Sequence, residues 1–157
     1  MTSQCLSLNT GKTQRKGTVV KKELKLASCD ENLAEVLEQT ELMLTVTGCD
    51  ETTKMQIMIA AEEIFVNISH YAYDGKPGEV VITMETMQEP IRFRMSFCDR
   101  GIPYNPLEHE DPDITLSAEE RAIGGLGIYI VRQTMDDLRY EYRDGWNELT
   151  LEKKLTE

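Results

Sequence analysis

Three polar side chains recur at helical spacing in the stretch IAAEEIFVNISHYAYDG: Glu63, Asn67 and His70. Residues three and four apart on a helix are neighbours, so these side chains should form one stripe. A carboxamide oxygen at Asn67 is a ligand that Mg²⁺ accepts together with phosphate oxygens and water. A carboxylate one turn earlier can orient or deprotonate an attacking hydroxyl. The alternative interpretation is the solvent face of an amphipathic helix.

Asp99 and a run of glycines are further candidates for binding chemistry. Asp99 ends a predicted strand and is followed two residues later by Gly101. A carboxylate there can accept hydrogen bonds from the exocyclic amine of a purine, or it can simply end the strand in a turn. The run GGLG, at 124–127, precedes a predicted helix, where close backbone approach and free amides favour phosphate. The alternative for this run is a flexible junction.

The first half of the chain predicts a strand and two helices that position the stripe. TVVKKELKLA, at 18–27, alternates as a strand does. Ser28 or Asp30 is predicted to cap a helix that runs to about Val46. Asp50 starts the second helix, which carries the stripe and ends at the turn signal DGKPG.

The second half predicts four strands and a third helix. EVVITMETM and IRFRMSFCD are two strands, and the second alternates strictly, with Phe93, Met95 and Phe97 on one face. IYIVRQTMDDL follows the glycines as a helix, and Asp144-Gly145 is a strong hairpin signal between two final strands. This order predicts an α+β fold, a two-layer sandwich whose mixed, mostly antiparallel sheet carries three main helices on one face.

Charge and cysteine usage exclude several classes of protein. The chain has 157 residues with 28 acidic and 17 basic side chains, a formal charge of −11. A nucleic-acid partner would require a basic face, so none is expected. Four scattered cysteines and two histidines indicate neither a zinc site nor a disulfide framework, and reduced thiols in a cytoplasm are the simplest account. No apolar run has the length of a membrane span.

The sequence predicts one domain with a short appendage. Residues 1–16 are polar and form a flexible N-terminal arm, and 17–157 form the domain. The GKT at 11–13 lacks the preceding strand and the first glycine of a phosphate loop. The polar segment 104–124 is too long for a simple connection and is predicted to be a lid or binding loop. Arg121 lies within it, where it could reach a phosphate.

These motifs together resemble the GHKL, or Bergerat-fold, ATPases, which contain the histidine-kinase-like ATPase domain. EEIFVNISHYAY looks like the N box, DRGIPYNP like the first glycine box and GGLGIYIVRQTMDDLRY like the second. The resemblance covers roughly residues 17–155 and is closest to the anti-sigma-factor serine/threonine protein kinase branch. Each box alone is weak, but the three in this order are specific.

The resemblance implies a function and a set of site residues. It implies ATP or ADP and Mg²⁺ as cofactors, with phosphorylation of an antagonist protein of the anti-anti-sigma kind and sequestration of a partner such as a sigma factor; it also allows a homodimer. The alternative is a nucleotide-dependent protein-binding module without kinase activity. The implied site consists of Glu63 as catalytic base, Asn67 as metal ligand, His70 in the N box, Asp99 and Gly101 at adenine, Gly125, Leu126 and Gly127 at the lid and phosphates, and Thr150 behind the adenine pocket.

The first glycine box departs from the family pattern at one position. The family usually reads D-x-G-x-G, and here Pro103 replaces the second glycine. Proline fixes one backbone torsion and removes an amide donor, so the base of the lid should be stiffer than in typical members.

Overall fold

A computed structural model describes residues 20–108, 115 and 126–155 of the chain. These residues form three α-helices and five strands, joined by short 3₁₀ helices at Asp30–Asn32 and Pro106–Glu108 and a π-helical turn at Ile68–Ala72. In chain order they are β1 Val20–Ala27, α1 Leu33–Thr45, α2 Glu51–Asn67, β2 Glu79–Met87, β3 Arg92–Asp99, α3 Leu126–Thr134, β4 Asp137–Arg143 and β5 Trp146–Lys154.

The sheet has the order β1-β2-β3-β5-β4, and every neighbouring pair is antiparallel. The predicted α+β sandwich is therefore confirmed, but the expectation of a mixed sheet is wrong. Two helices connect β1 to β2 and return the chain to the end where it left the sheet, so this pair is antiparallel. The single helix α3 makes β4 run parallel to β3, but β5 inserts between them and separates the parallel strands.

The helices pack against one face of the sheet, and the strands alternate accordingly. On β3 the core residues are Phe93, Met95 and Phe97, as predicted. They lie in register with core residues of β2 and β5, such as Ile82 and Leu151. Because side chains alternate along a strand, Asp99 belongs to the same face as Phe97. The opposite face carries a smaller apolar cluster that consists of Val81, Cys98 and Trp146.

The predicted N-terminal cap of α2, Asp50, is correct, and the predicted caps of α1, Ser28 or Asp30, are wrong. Asp50 caps α2, since its carboxylate accepts hydrogen bonds from the backbone N and the hydroxyl of Thr53 at 2.7 and 2.9 Å. Ser28 is no cap, because its hydroxyl accepts a hydrogen bond from the Gly78 amide across 50 residues. Asp30 instead pairs with His70. Both partners are remote in sequence, so local pattern cannot reveal them.

The hairpin and the third helix are largely as predicted. Asp144 and Gly145 have φ of 52° and 84°, the positive angles that a type I′ turn requires. Ile128, Val131 and Met135 are buried, but α3 ends at Thr134, four residues before the predicted end. At the C-terminus of this helix, Lys153 donates a hydrogen bond to the carbonyl of Thr134 and so satisfies one of the last carbonyls.

Two expectations drawn from composition can be compared with the structure. Cys98 is disulfide-bonded, so the prediction of reduced thiols is wrong at this residue, while Cys29 and Cys49 are free. Within the described ranges, no helix has the length and apolar character needed to cross a bilayer.

Candidate functional site

Glu63 and Asn67 lie half-buried along the exposed flank of α2, one turn apart. In the described part of the chain, neither side chain has a hydrogen-bond partner. The carboxylate of Glu63 packs against the start of α3: a Cβ placed on Gly127 would lie 2.0 Å from its Oε2. The absence of a side chain at Gly127 therefore allows the carboxylate to lie against the N-terminal turn of that helix.

His70 separates from the predicted stripe. The chain leaves the α-helical path after Asn67 and forms the π-helical turn, which contains more residues per turn than an α-helix. His70 is exposed, and its Nε2 lies 3.1 Å from both carboxylate oxygens of Asp30. The structure therefore brings Glu63 and Asn67 together and directs His70 toward the 3₁₀ turn before α1.

The π-helical turn packs directly on the loop that follows β3. The carbonyl of Ala72 accepts a hydrogen bond from the Ile102 amide at 2.7 Å, and a Cβ on Gly101 would lie 2.2 Å from the same oxygen. The hydroxyl of Tyr73 accepts a hydrogen bond from the Arg100 amide at 2.8 Å and donates to the Glu79 carbonyl at 2.5 Å. These contacts fix the end of the α2 segment to the residues around Asp99.

Asp99 is a buried carboxylate with one oxygen in use. Only 5% of the surface of Asp99 is exposed. Oδ1 accepts hydrogen bonds from the Gly101 amide at 2.9 Å and from Nδ2 of Asn147 at 3.0 Å. Among the described residues, nothing donates to Oδ2. Burial raises the pKa of Asp99, while the hydrogen bonds from Gly101 and Asn147 oppose that shift.

Asn147 is a site residue that sequence reasoning missed. It lies in register with Asp99 on β5, whereas Thr150 lies in register with Ser96. Residues three positions apart on a strand point to opposite faces of the sheet, so Thr150 lies on the face away from the helices. Its hydroxyl is 3.0 Å from the hydroxyl of Ser96. The contact from the last strand to Asp99 therefore comes from Asn147 and not from Thr150. The available signal was a polar residue alternating with Leu149 and Leu151, on the buried face.

The glycine-rich segment is only partly described. Gly124, Gly125 and Arg121 lie outside the described residues. Leu126 begins α3 and is 40% exposed. Most of the segment 104–124, which is predicted to be a lid or binding loop, therefore lies outside the described residues.

The donor set along α2 suits magnesium better than it suits a metal held entirely by protein. In the described ranges no three His, Cys, Asp or Glu side chains are close enough to hold a metal ion. Magnesium commonly takes only one or two protein oxygens and completes its octahedron with phosphate and water. The carboxamide of Asn67, which has no partner among the described residues and lies one turn from the Glu63 that packs on α3, fits that mode of binding.

The order of these elements can be compared with known proteins. The model of the histidine kinase-like ATPase domain family matches residues 26–153. The chain belongs to this family. Membership implies that the domain uses a nucleotide.

Similar proteins include named kinases. The serine/threonine-protein kinase BtrW of Bordetella bronchiseptica is 29% identical over 99 residues, which cover 62% of this chain and 68% of BtrW. The serine-protein kinase RsbW of Listeria monocytogenes is 27% identical over 94 residues, which cover 57% of this chain and 59% of RsbW. The alignment thus spans less than two thirds of RsbW.

A solved structure shows the same fold. The crystal structure of the RsbU and RsbW domains of Rv1364c from Mycobacterium tuberculosis matches with a TM-score of 0.61 and 19% sequence identity. The match covers 92% of this chain and 35% of that one. The architecture of this ATPase domain is therefore shared with a protein of very different sequence.

The buried charge of Asp99 should reduce stability at neutral pH. Because its pKa is higher in the folded state, folding holds a proton that the unfolded chain has released, so stability falls as pH rises from about 4 through the raised pKa. Asp99→Asn cannot ionise. The unfolding free energy of the variant relative to wild type should therefore increase over that range in urea titrations.

The exposed Asp137 provides the control for this measurement, since its side chain is 51% exposed at the start of β4. Asp137→Asn should show no comparable increase. A flat or falling difference for Asp99→Asn between pH 4 and 7 would contradict the role given to burial.

Proposed function

We propose that this domain is an ATP-dependent serine/threonine protein kinase that phosphorylates an antagonist protein and sequesters a regulatory partner, in the manner of anti-sigma kinases. The observation that carries the proposal is the carboxylate of Glu63, unpaired within the described residues and packed at Gly127 on the N-terminal turn of α3. The names of BtrW and RsbW, both protein kinases, support the same reaction class.

Asp99 and α3 are the two ends of the proposed nucleotide site. Ala72 and Gly101 join one end of the α2 segment to Asp99, and Glu63 joins the same helix to Gly127. At 1.5 Å per residue these two junctions are roughly 13 Å apart along the helix. We assign the purine to the Asp99 end, where a buried acceptor oxygen is available. The phosphates are assigned to the N-terminus of α3, where free backbone amides and the helix dipole favour anions.

Glu63 is proposed to act on the hydroxyl of the protein substrate. Burial raises the pKa of its carboxyl, and the charge of Glu62 raises it further. A base with a raised pKa takes up a proton more readily near neutral pH, which suits proton removal from serine or threonine as the terminal phosphoryl group is transferred. Asn67 would supply an oxygen to magnesium, which neutralises phosphate charge when it is bound.

The second candidate function is a nucleotide-dependent binding module without phosphotransfer. Pro103, which is exposed at the base of the lid, favours this candidate, since a stiffer lid would close less readily over the phosphates. Both functions use the same nucleotide site, so activity measurements on variants of Glu63 distinguish them.

Glu63→Gln should separate phosphotransfer from nucleotide binding. The amide keeps the shape of the side chain but cannot accept the proton, so transfer of labelled phosphate to a candidate antagonist domain should fall by roughly 10²- to 10⁴-fold. Affinity for ATP, measured by calorimetry, should change little.

The neighbouring Glu62 is the matched control, since it is exposed on the same helix. Glu62→Gln should retain phosphotransfer within a few-fold. A Glu63→Gln protein that transfers phosphate at the wild-type rate would exclude this residue as the base. A wild-type protein that binds nucleotide and partner but transfers no phosphate would favour the binding module.

Asn67→Ala should remove the magnesium-dependent part of ATP affinity. The variant loses the carboxamide oxygen one turn from Glu63 on this flank of α2, while the proposed purine contact at Asp99 stays intact. Calorimetric titrations of ATP with magnesium and with excess chelator should therefore give similar affinities for the variant and different affinities for wild type. If Asn67→Ala retains the full effect of magnesium, the flank of α2 is an ordinary solvent-facing surface.

A further inference from the structure

A closed hydrogen-bond network surrounds the side chain of Asn147, a residue that is only 5% exposed. Its Nδ2 donates to Oδ1 of Asp99 at 3.0 Å and to the carbonyls of Gly101 and Ile102 at 3.2 and 3.3 Å. Its Oδ1 accepts hydrogen bonds from the hydroxyl of Tyr140 and from the amide of Tyr104, the latter at 3.3 Å. Both ends of the carboxamide are therefore satisfied.

These partners allow only one orientation of the amide. The three groups near Nδ2 are a carboxylate oxygen and two carbonyl oxygens, which accept, and the Tyr104 amide near Oδ1 can only donate. Turning the carboxamide over would place its oxygen against three acceptor oxygens and its NH₂ group against the Tyr104 amide, and unsatisfied buried polar groups are costly. Asn147 is thus fixed as a donor toward Asp99.

The hydroxyl of Tyr140 is central to this arrangement. Besides donating to Asn147, it accepts a hydrogen bond from the Tyr104 amide at 3.2 Å, so it joins β4 and β5 to the segment that follows Pro103. Burial raises the pKa of Tyr140, so the hydroxyl keeps its proton at neutral pH. It therefore remains a donor wherever the protein functions near neutrality.

The orientation of Asn147 determines which oxygen of Asp99 is available. Oδ1 receives both intramolecular donors, Gly101 and Asn147, and Oδ2 receives none from the described residues. A purine with an amine at its 6-position can donate to such an oxygen. A purine with a carbonyl there would place one acceptor against another, which in a buried site is unfavourable.

We propose that Tyr140 and Asn147 are positioning residues that set purine specificity, by occupying one oxygen of Asp99 and reserving the other for a 6-amino group. The inference rests on the proposed binding of an adenine nucleotide. It extends that proposal by assigning purine selectivity to Tyr140 and Asn147 on the β4–β5 hairpin. Asp99 is the group that contacts the base.

The experiment compares ligands that differ only in the amine. ADP and purine riboside 5′-diphosphate, which lacks the 6-amine, are titrated into wild type, Tyr140→Phe and Tyr142→Phe. A hydrogen bond to a charged group corresponds to roughly a tenfold to hundredfold change in affinity, so wild type should prefer ADP by that factor. In Tyr140→Phe the ratio of the two affinities should fall by about threefold or more, mostly because ADP binds more weakly.

Tyr142→Phe is the matched control, since Tyr142 lies two residues along on the same face of β4 and is 47% exposed. It should leave the preference unchanged. Asn147→Leu, which keeps the branched shape but lacks the carboxamide, should remove most of the preference. If that variant fails to fold, as judged by thermal unfolding, Tyr140→Phe alone decides the question.

The ratio of the two affinities separates positioning from a purely structural role. A structural role would weaken both ligands equally, and an unchanged ratio in Tyr140→Phe would overturn the inference while leaving adenine binding intact. A wild-type protein that binds both ligands equally would overturn the inference together with the proposed role of Asp99 in base recognition.

Discussion

The carboxylate of Asp99 is the group on which the arrangement of the site depends. A buried charge is tolerated only when hydrogen bonds replace its lost hydration. The amide of Gly101 supplies one donor. Because Gly101 has no side chain, its backbone can also lie close to the carbonyl of Ala72. Asn147 supplies the other donor from a strand nearly fifty residues away. The loop, the π-helical turn and the last hairpin are therefore held together by the need to satisfy one carboxylate.

The strand order follows the same requirement. If β4 lay beside β3, the crossover through α3 would give a parallel pair and Asn147 would be one strand further from Asp99. With β5 in between, the antiparallel register places Asn147 directly opposite Asp99 and brings Tyr140 onto the same face. The tight turn at Asp144-Gly145 makes this insertion possible, since it lets β5 return immediately alongside β4.

The features that the sequence predicts correctly are those set by neighbouring residues. The Asp50 cap, the alternation of β3 and the type I′ hairpin each depend on a few consecutive side chains. The site roles of Glu63, Asn67 and Asp99 come from family motifs and stay predictions. Asn147, the hydrogen bond from Gly78 to Ser28 and the departure of His70 at the π-helical turn depend on contacts between distant segments. The prediction places Thr150 behind the adenine pocket, whereas the structure pairs it with Ser96 and places Asn147 opposite Asp99, a register that depends on strand order.

Glu63 and Asp99 are the two carboxylates of the proposed site, and they differ in their hydrogen-bond partners. Burial raises the pKa of both Glu63 and Asp99. At Asp99 two hydrogen bonds oppose that shift and occupy Oδ1, while no described residue donates to Oδ2, which suits a fixed acceptor for a ligand amine. At Glu63 no such hydrogen bond is present among the described residues, and the charge of Glu62 increases the shift, which suits a group that must gain and lose a proton. The same helix segment therefore joins a carboxylate suited to recognition at one end with a carboxylate suited to chemistry at the other.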